Sequence, residues 1–135
     1  MKIACFILIL VLVLGMLCGC VGYVNRYAAT ILITSTRGDE ASMEFYTFQG
    51  TRYFVLRRED PAEHTLDLEA SLAEGQMHIY IGVGGEKELL LTVKGGESYD
   101  ETITLDPKYD NEKTICVILE TTGKCVDGEF EFEYN

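Results

Sequence analysis

From Tyr27 to the end, apolar and polar side chains alternate with a period of two, and almost no helical repeat is present. Residues 28–36 are β-branched and read as a strand, Arg37-Gly38-Asp39-Glu40 as a turn, and 41–48 as a second strand. Gly50-Thr51 is expected to turn the chain into a third strand over 52–58, which Asp60-Pro61-Ala62-Glu63 ends because proline cannot donate to a ladder. Leu66, Leu68, Ala70 and Leu72 then share one face, with Asp67, Glu69 and Ser71 on the other. After a turn at Glu74-Gly75, Met77, Ile79, Ile81 and Val83 alternate with Gln76, His78, Tyr80 and Gly82, and Gly84-Gly85 is a hairpin signal. Leu89, Leu91 and Val93 are expected to face inward before Gly95-Gly96 turns the chain again. Tyr99, Ile103 and Leu105 mark the next strand, and the apolar run 115–119 comes after a polar loop. The last strand places Val126, Gly128, Phe130, Phe132 and Tyr134 on one face and Asp127, Glu129, Glu131 and Glu133 on the other.

Nine short strands joined by glycine-rich turns predict an all-β fold, an antiparallel β-sandwich of jelly-roll-like or immunoglobulin-like type. A true immunoglobulin domain is disfavoured by the absence of Trp and of a well-separated cysteine pair. The acidic face of the last strand suits solvent and discourages edge-to-edge association.

The N-terminus is of another kind. Met1-Lys2 is a short positive start, residues 3–14 are an unbroken apolar run shorter than a bilayer span, and Gly15 loosens the helix ahead of a cleavage region. Leu17-Cys18-Gly19-Cys20 resembles the lipobox of bacterial lipoproteins: Leu17 matches the apolar first position, Gly19 the small residue before the cut, and Cys20 the acceptor, while Cys18 departs from the commoner Ala, Ser or Thr. The resemblance implies a diacylglyceryl group on the Cys20 thioether and cleavage just before it. The implied organisation is a signal peptide over 1–19, a lipidated tether over 20–26 and a β-sandwich over 27–135. Each buried methylene of the lipid contributes about 0.8 kcal/mol, which gives firm attachment. The alternative is an uncut signal anchor, because residues 3–24 carry no charged side chain. Either reading places the domain outside the cytoplasm and close to the membrane. A lipobox followed by a β-rich domain ending in Gly-x-Phe-x-Phe is similar, in pattern only, to small surface lipoproteins of Gram-positive bacteria.

Of the 135 residues, 22 are acidic and 11 basic; with Lys2 removed, the mature part carries 22 acidic against 10 basic groups. That balance excludes nucleic acid, whose phosphates need clustered cations, and docking of the folded domain on anionic lipid through its own charge.

The candidate chemistry is sparse. Cys116 and Cys125 are permitted a disulfide in an exported compartment, but a tight hairpin over 121–124 would set them out of register, so two buried thiols are expected. His64 and His78 have neither metal nor triad spacing, and no nucleophile or phosphate-loop motif occurs. Asp106, Asp110, Asn111 and Glu112 place four oxygen-bearing side chains in one loop, raw material for calcium without the spacing of an EF-hand. Arg37-Gly38-Asp39 is ordinary turn chemistry that happens to match an integrin-binding tripeptide. Tyr46, Tyr53 and Tyr80, with Phe48 and Tyr99, offer stacking surfaces for a sugar. Arg52, Arg57 and Arg58 form the one basic cluster. The expectation is a membrane-anchored, extracytoplasmic, non-enzymatic lipoprotein without cofactor. It acts as a binding or envelope-assembly module on a protein or cell-wall partner, and a carbohydrate-binding lipoprotein is the alternative.

Overall fold

The computed structural model describes residues 22–59 and 63–135; the expected signal peptide, Cys20 and Asp60-Pro61-Ala62 lie outside the described residues. Among the described residues nine strands form: β1 (Arg26–Thr30), β2 (Ile33–Arg37), β3 (Glu40–Arg57), β4 (Thr65–Glu74), β5 (Gln76–Val83), β6 (Glu86–Lys94), β7 (Ser98–Thr104), β8 (Thr114–Glu120) and β9 (Cys125–Tyr134). All pairings are antiparallel.

The long strand β3 explains the architecture. Its first half pairs with β9 and its second half with β8, while β2 and β1 run along its other edge. Five long ribbons therefore lie side by side, each bent in the middle. One layer reads β2-β3-β9-β4-β7 and the other β1-β3-β8-β5-β6. The result is an antiparallel sandwich nearly closed into a barrel, with the expected alternation filling its interior. Met43, Phe45, Phe130, Phe132, Leu66 and Leu68 come from the first layer, and Phe48, Phe54, Leu56, Val117, Leu119, Ile79 and Ile81 from the second.

Gly50-Thr51 is not a turn between strands but the bend inside β3, with Gly50 at φ +126. Gly50 and Thr121 bond reciprocally there: the Gly50 N–H donates to Thr121 Oγ1 at 3.0 Å, and the Thr121 N–H to Gly50 O at 2.8 Å. Gly75 and Gly96 bend the neighbouring ribbons, and the Gly95 N–H donates to Gly75 O at 2.8 Å. The single strand expected over 28–36 is broken into β1 and β2 at Ile31, whose φ of +51 is rare for a β-branched residue. Leu89 is exposed instead of inward, because the β5–β6 register shifts between Ile79 and Tyr80 and aims Leu89 outward opposite Tyr80.

At the pole opposite the bends, the strand ends of the two layers meet. The Arg57 N–H donates to Gly38 O at 2.9 Å and the Tyr134 N–H to Asp39 O at 2.8 Å, so the Arg37-Gly38-Asp39 turn is pinned to the body. Arg58 is buried here. Its guanidinium donates to the carbonyls of Glu112, Asn135, Tyr109 and Asp110 and lies 4.0 Å from the centre of the Tyr134 ring.

Cys116 and Cys125 do not pair. β8 and β9 are not a hairpin but successive segments along β3 on either side of its bend, so Cys116 stands opposite Val55 and Cys125 opposite Phe48, nine residues apart in the chain. Cys125 is a free, buried thiol whose Sγ–H donates to Gln76 O at 3.3 Å, and burial pushes its pKa up. Cys116 is not the second thiol expected: it is disulfide-bonded, and its partner sulfur lies outside the described residues.

Candidate functional site

Two surfaces stand out, one on the outer face of each layer. On the first layer the outward residues of five strands line up in rows set by register. One row reads Ser35, Ser42, Glu131, Glu69 and Asp100, and the next Arg37, Glu40, Glu133, Asp67 and Thr102. A third places Glu44 against Glu129. The first two rows floor an open trough of about 580 Å³ in which seven carboxylates, with Glu101 among them, face one guanidinium, that of Arg37.

Like charges directly opposite one another on a sheet are unfavourable, and the titration behaviour of the trough carries that signature. A hydrogen bond shared with Glu131, then the charges of Asp100 and Glu131, hold the Glu69 carboxyl above its ordinary pKa. Burial, then Glu40, Asp39 and Asp67, do the same to Glu133. Relief within the sheet is slight: the Thr102 hydroxyl donates to Asp67 Oδ1 at 2.7 Å.

The outer face of the second layer is built from tyrosine. Tyr53 on β3 and Tyr80 on β5 both stand opposite Ile118 of β8, so a single row reads Tyr53, Ile118, Tyr80. Lys87 lies over the Tyr80 ring at 4.4 Å and pairs with Glu120 at 2.7 Å. Tyr53 and Tyr80 are thus brought together, whereas Tyr46 stands exposed at the bend near the β1–β2 edge. Phe48 is core, and Tyr99 donates to Glu97 at 2.5 Å from β7.

The row is not bare. Residues 22–25 cross it before entering β1: the Tyr53 N–H donates to Asn25 Oδ1 at 2.9 Å, the Tyr23 ring leans on Tyr53 at 6.2 Å, and the Tyr23 hydroxyl donates to Glu86 O. Tyr23, Tyr53 and Tyr80 pack around buried Cys116 and Ile118. Gly82 makes this contact possible, since a Cβ there would lie 2.3 Å from the Tyr23 hydroxyl.

The loop considered for calcium is otherwise engaged. Asp106 caps the 3-10 turn Pro107–Tyr109 by accepting from the Lys108 N–H at 2.9 Å, Asp110 faces His64 at 3.4 Å, and Glu112 offers its carbonyl to Arg58. Asn111 is exposed. Among the described residues no three His, Cys, Asp or Glu side chains converge as metal ligands. His78 bonds Thr92 at 2.8 Å, and neither histidine lines the trough. The three arginines do not act together: Arg58 is buried, Arg57 is exposed, and Arg52 lies 5.1 Å over the Phe54 ring.

The acid stripe on β9 was visible in the sequence; its neighbours from β3, β4 and β7 were not, because only strand order and register bring them together. The strap of residues 22–25 had one weak signal, a glycine at 82 inside an otherwise regular strand.

No protein-family model matches the chain, and no curated protein matches it. Among solved structures it is similar to xylanase 10C from Cellvibrio japonicus in complex with xylopentaose, at 11% identity and TM-score 0.42, covering 82% of this chain and 27% of that one. It is also similar to a family 29 carbohydrate-binding module, at 15% identity and TM-score 0.40, covering 84% of this chain and 74% of that one. A cupin-2 domain protein from Shewanella frigidimarina matches at 14% identity and TM-score 0.35, covering 83% of this chain and 85% of that one. The chain thus spans about a quarter of the xylanase, and none of the three assigns it a site residue.

Proposed function

We propose that this is an extracytoplasmic, non-catalytic binding domain, held at the membrane by a lipid on Cys20, whose partner is a basic segment of another protein met on the acidic trough. The observation that carries the binding surface is the register of the trough. Glu131 faces Glu69, Glu69 faces Asp100, and Glu133 stands between Glu40 and Asp67, all on rigid strands with Arg37 as the only cation in the lining. Such a face repels itself in the free domain and is relieved when cations approach, so a Lys- or Arg-rich segment gains both attraction and the release of that repulsion. The trough is open and polar, which suits an extended chain better than an enclosed small molecule. A lipid on Cys20 would keep the domain near partners in the same membrane or the adjacent wall.

The test is titration of an arginine-rich peptide into the domain, with a glutamate-rich peptide as control. The expected result is binding of the basic peptide alone, weakened at least tenfold by Glu69→Lys with Glu131→Lys and weakened again by salt. Equal binding of both peptides, or no effect of the double variant, overturns the trough as the binding face.

A second reading rests on the Tyr53, Ile118, Tyr80 row, which has the form of a stacking platform for a sugar ring. Tyr23 already leans on Tyr53, so this reading requires the strap to lift, and Tyr23→Ala would then tighten binding to cell-wall polysaccharide.

A further inference from the structure

Resting on the reading of the trough as a face for a basic segment, we infer that the segment binds as an added strand, paired through its main chain to the outer edge of β7. β7 ends the first layer: among the described residues it pairs with β4 and with no other strand. The ladder fixes which of its backbone groups are used. The Leu105 N–H donates to His64 O at 3.0 Å beyond one end, and the Leu72 N–H to Glu97 O at 3.4 Å beyond the other, both in the register of the strand pair. Hydrogen-bonded and non-hydrogen-bonded positions alternate along an antiparallel pair, so Tyr99, Glu101 and Ile103 turn their N–H and C=O groups toward β4. Ser98, Asp100, Thr102 and Thr104 turn theirs the other way, and among the described residues none of these groups has a backbone partner. Such an edge is a template for one more strand.

The side chains on β7 select that strand. Asp100 stands beside Glu69 on the trough face, Thr102 beside Asp67, and Glu101 beside buried Leu68. All three β7 residues are exposed, whereas Tyr99 and Ile103 are half-buried against the core. Side chains directly opposite one another share a face and interact in pairs. An antiparallel segment therefore matches β7 with basic residues opposite Asp100 and Glu101, a polar one opposite Thr102, and apolar ones opposite Tyr99 and Ile103. From its own N-terminus it reads apolar, polar, basic, basic, apolar. Its backbone lies ~4.8 Å from β7 and about twice that from β4, so a long basic side chain on the trough face spans Asp100 toward Glu69.

Other edges and other occupants fit less well. β2 carries Arg37 and no carboxylate of its own, which repels a basic strand. β6 carries Lys87 and Lys94, and its pairing with β5 shifts register between Ile79 and Tyr80. A second copy joined through its own β7 would set the same carboxylates against each other, a like-charge arrangement that is unfavourable on a sheet.

The test is titration of a capped peptide containing Val-Thr-Lys-Arg-Val into the full chain, with hydrogen exchange followed at the β7 amides. The expected result is binding that slows exchange at Asp100 and Thr102 at least tenfold. Thr102→Pro removes an outward N–H and leaves the β4 ladder intact, and it is expected to weaken binding at least tenfold. Thr102→Val loses the same hydroxyl but keeps the N–H, and binds as the wild type does. Unchanged exchange at Asp100 and Thr102 in the complex, or undiminished binding by Thr102→Pro, overturns strand addition; the trough reading then stands or falls on Glu69→Lys with Glu131→Lys alone. The exchange measurement on the wild type decides the matter by itself if the proline variant does not fold. A wild type that does not bind the peptide overturns the trough and the added strand together.

Discussion

Gly128 and Phe45 show how closely single residues are matched in this core. Gly128 stands opposite Phe45 in the β3–β9 register, and a Cβ on it would lie 2.3 Å from the ring's Cζ. The ring is held from the other side by Phe130 and Phe48, at centroid distances of 6.1 and 5.4 Å, and has nowhere to retreat. Gly128→Ala is therefore expected to cost about 1 to 3 kcal/mol through overpacking, measured as a lower urea midpoint at unchanged m-value. Arg58 is the opposite case, a buried cation with no Asp or Glu carboxylate within ion-pair distance among the described residues, balanced by four main-chain oxygens, that of Asn135 nearest at 2.7 Å, and the Tyr134 ring. Arg58→Met strands those carbonyls and costs about 3 kcal/mol or more. Arg58→Lys restores only part of the loss in the same urea measurement, since one ammonium cannot span the fan that a planar guanidinium reaches. The cluster of Arg52, Arg57 and Arg58 was legible in the sequence, but not the fact that three near neighbours would end in three environments. Alternation along β3 and the residue after it sets Arg57 outward, away from the side taken by Arg52 and Arg58.

Strands were the most readable part of this chain, and their continuity the least. β4 and β9 keep their alternation residue by residue, because each has one face in the core and one in water. Gly50, Gly75 and Gly96 looked like hairpin turns because a bend within a ribbon and a turn between ribbons both use a residue at positive φ. The sequence suggests a hairpin where β8 instead runs on into β9; Cys116 and Cys125 stay unpaired as expected, and the disulfide at Cys116 leaves no mark in the strand pattern. The strap residues carried no pattern at all and acquire meaning only from the sheet beneath them. The acidic face formed by β3, β9, β4 and β7 has its own pH dependence. Raised pKa values at Glu69 and Glu133 mean that the folded state binds protons more readily than the unfolded chain. Their contribution is thus fully present below the ordinary glutamate value and is lost as pH rises through the raised values. Glu97, lowered first by the Tyr99 hydroxyl, contributes in the opposite sense and loses its part as pH falls. Glu69→Gln with Glu133→Gln is expected to raise the thermal midpoint at neutral pH and to flatten its rise on mild acidification, followed by calorimetry from pH 7 to about 5.

As a whole, the molecule is a bent five-ribbon sandwich with a different outer surface on each layer: an acidic trough on one, and on the other a tyrosine row crossed by residues 22–25. In the proposed function the trough opens toward a partner at the membrane surface. All of this depends on the group that Cys20 carries. A thioether to lipid and a disulfide cannot share one sulfur. Cys116 is disulfide-bonded, and of the cysteines outside the described residues, Cys5, Cys18 and Cys20, only Cys20 remains in a chain cut before it, so the lipid anchor and this disulfide exclude one another in the cleaved chain and the chemistry at Cys20 decides between them. The measurement is the intact mass of the N-terminal peptide from membranes, taken without reducing agent, for the wild type and for Cys20→Ser. The account predicts a peptide that begins at Cys20 and carries a diacylglyceryl group, absent from the variant. A peptide that begins at Met1 without lipid, or one in which Cys20 is joined to the Cys116 peptide, would contradict it.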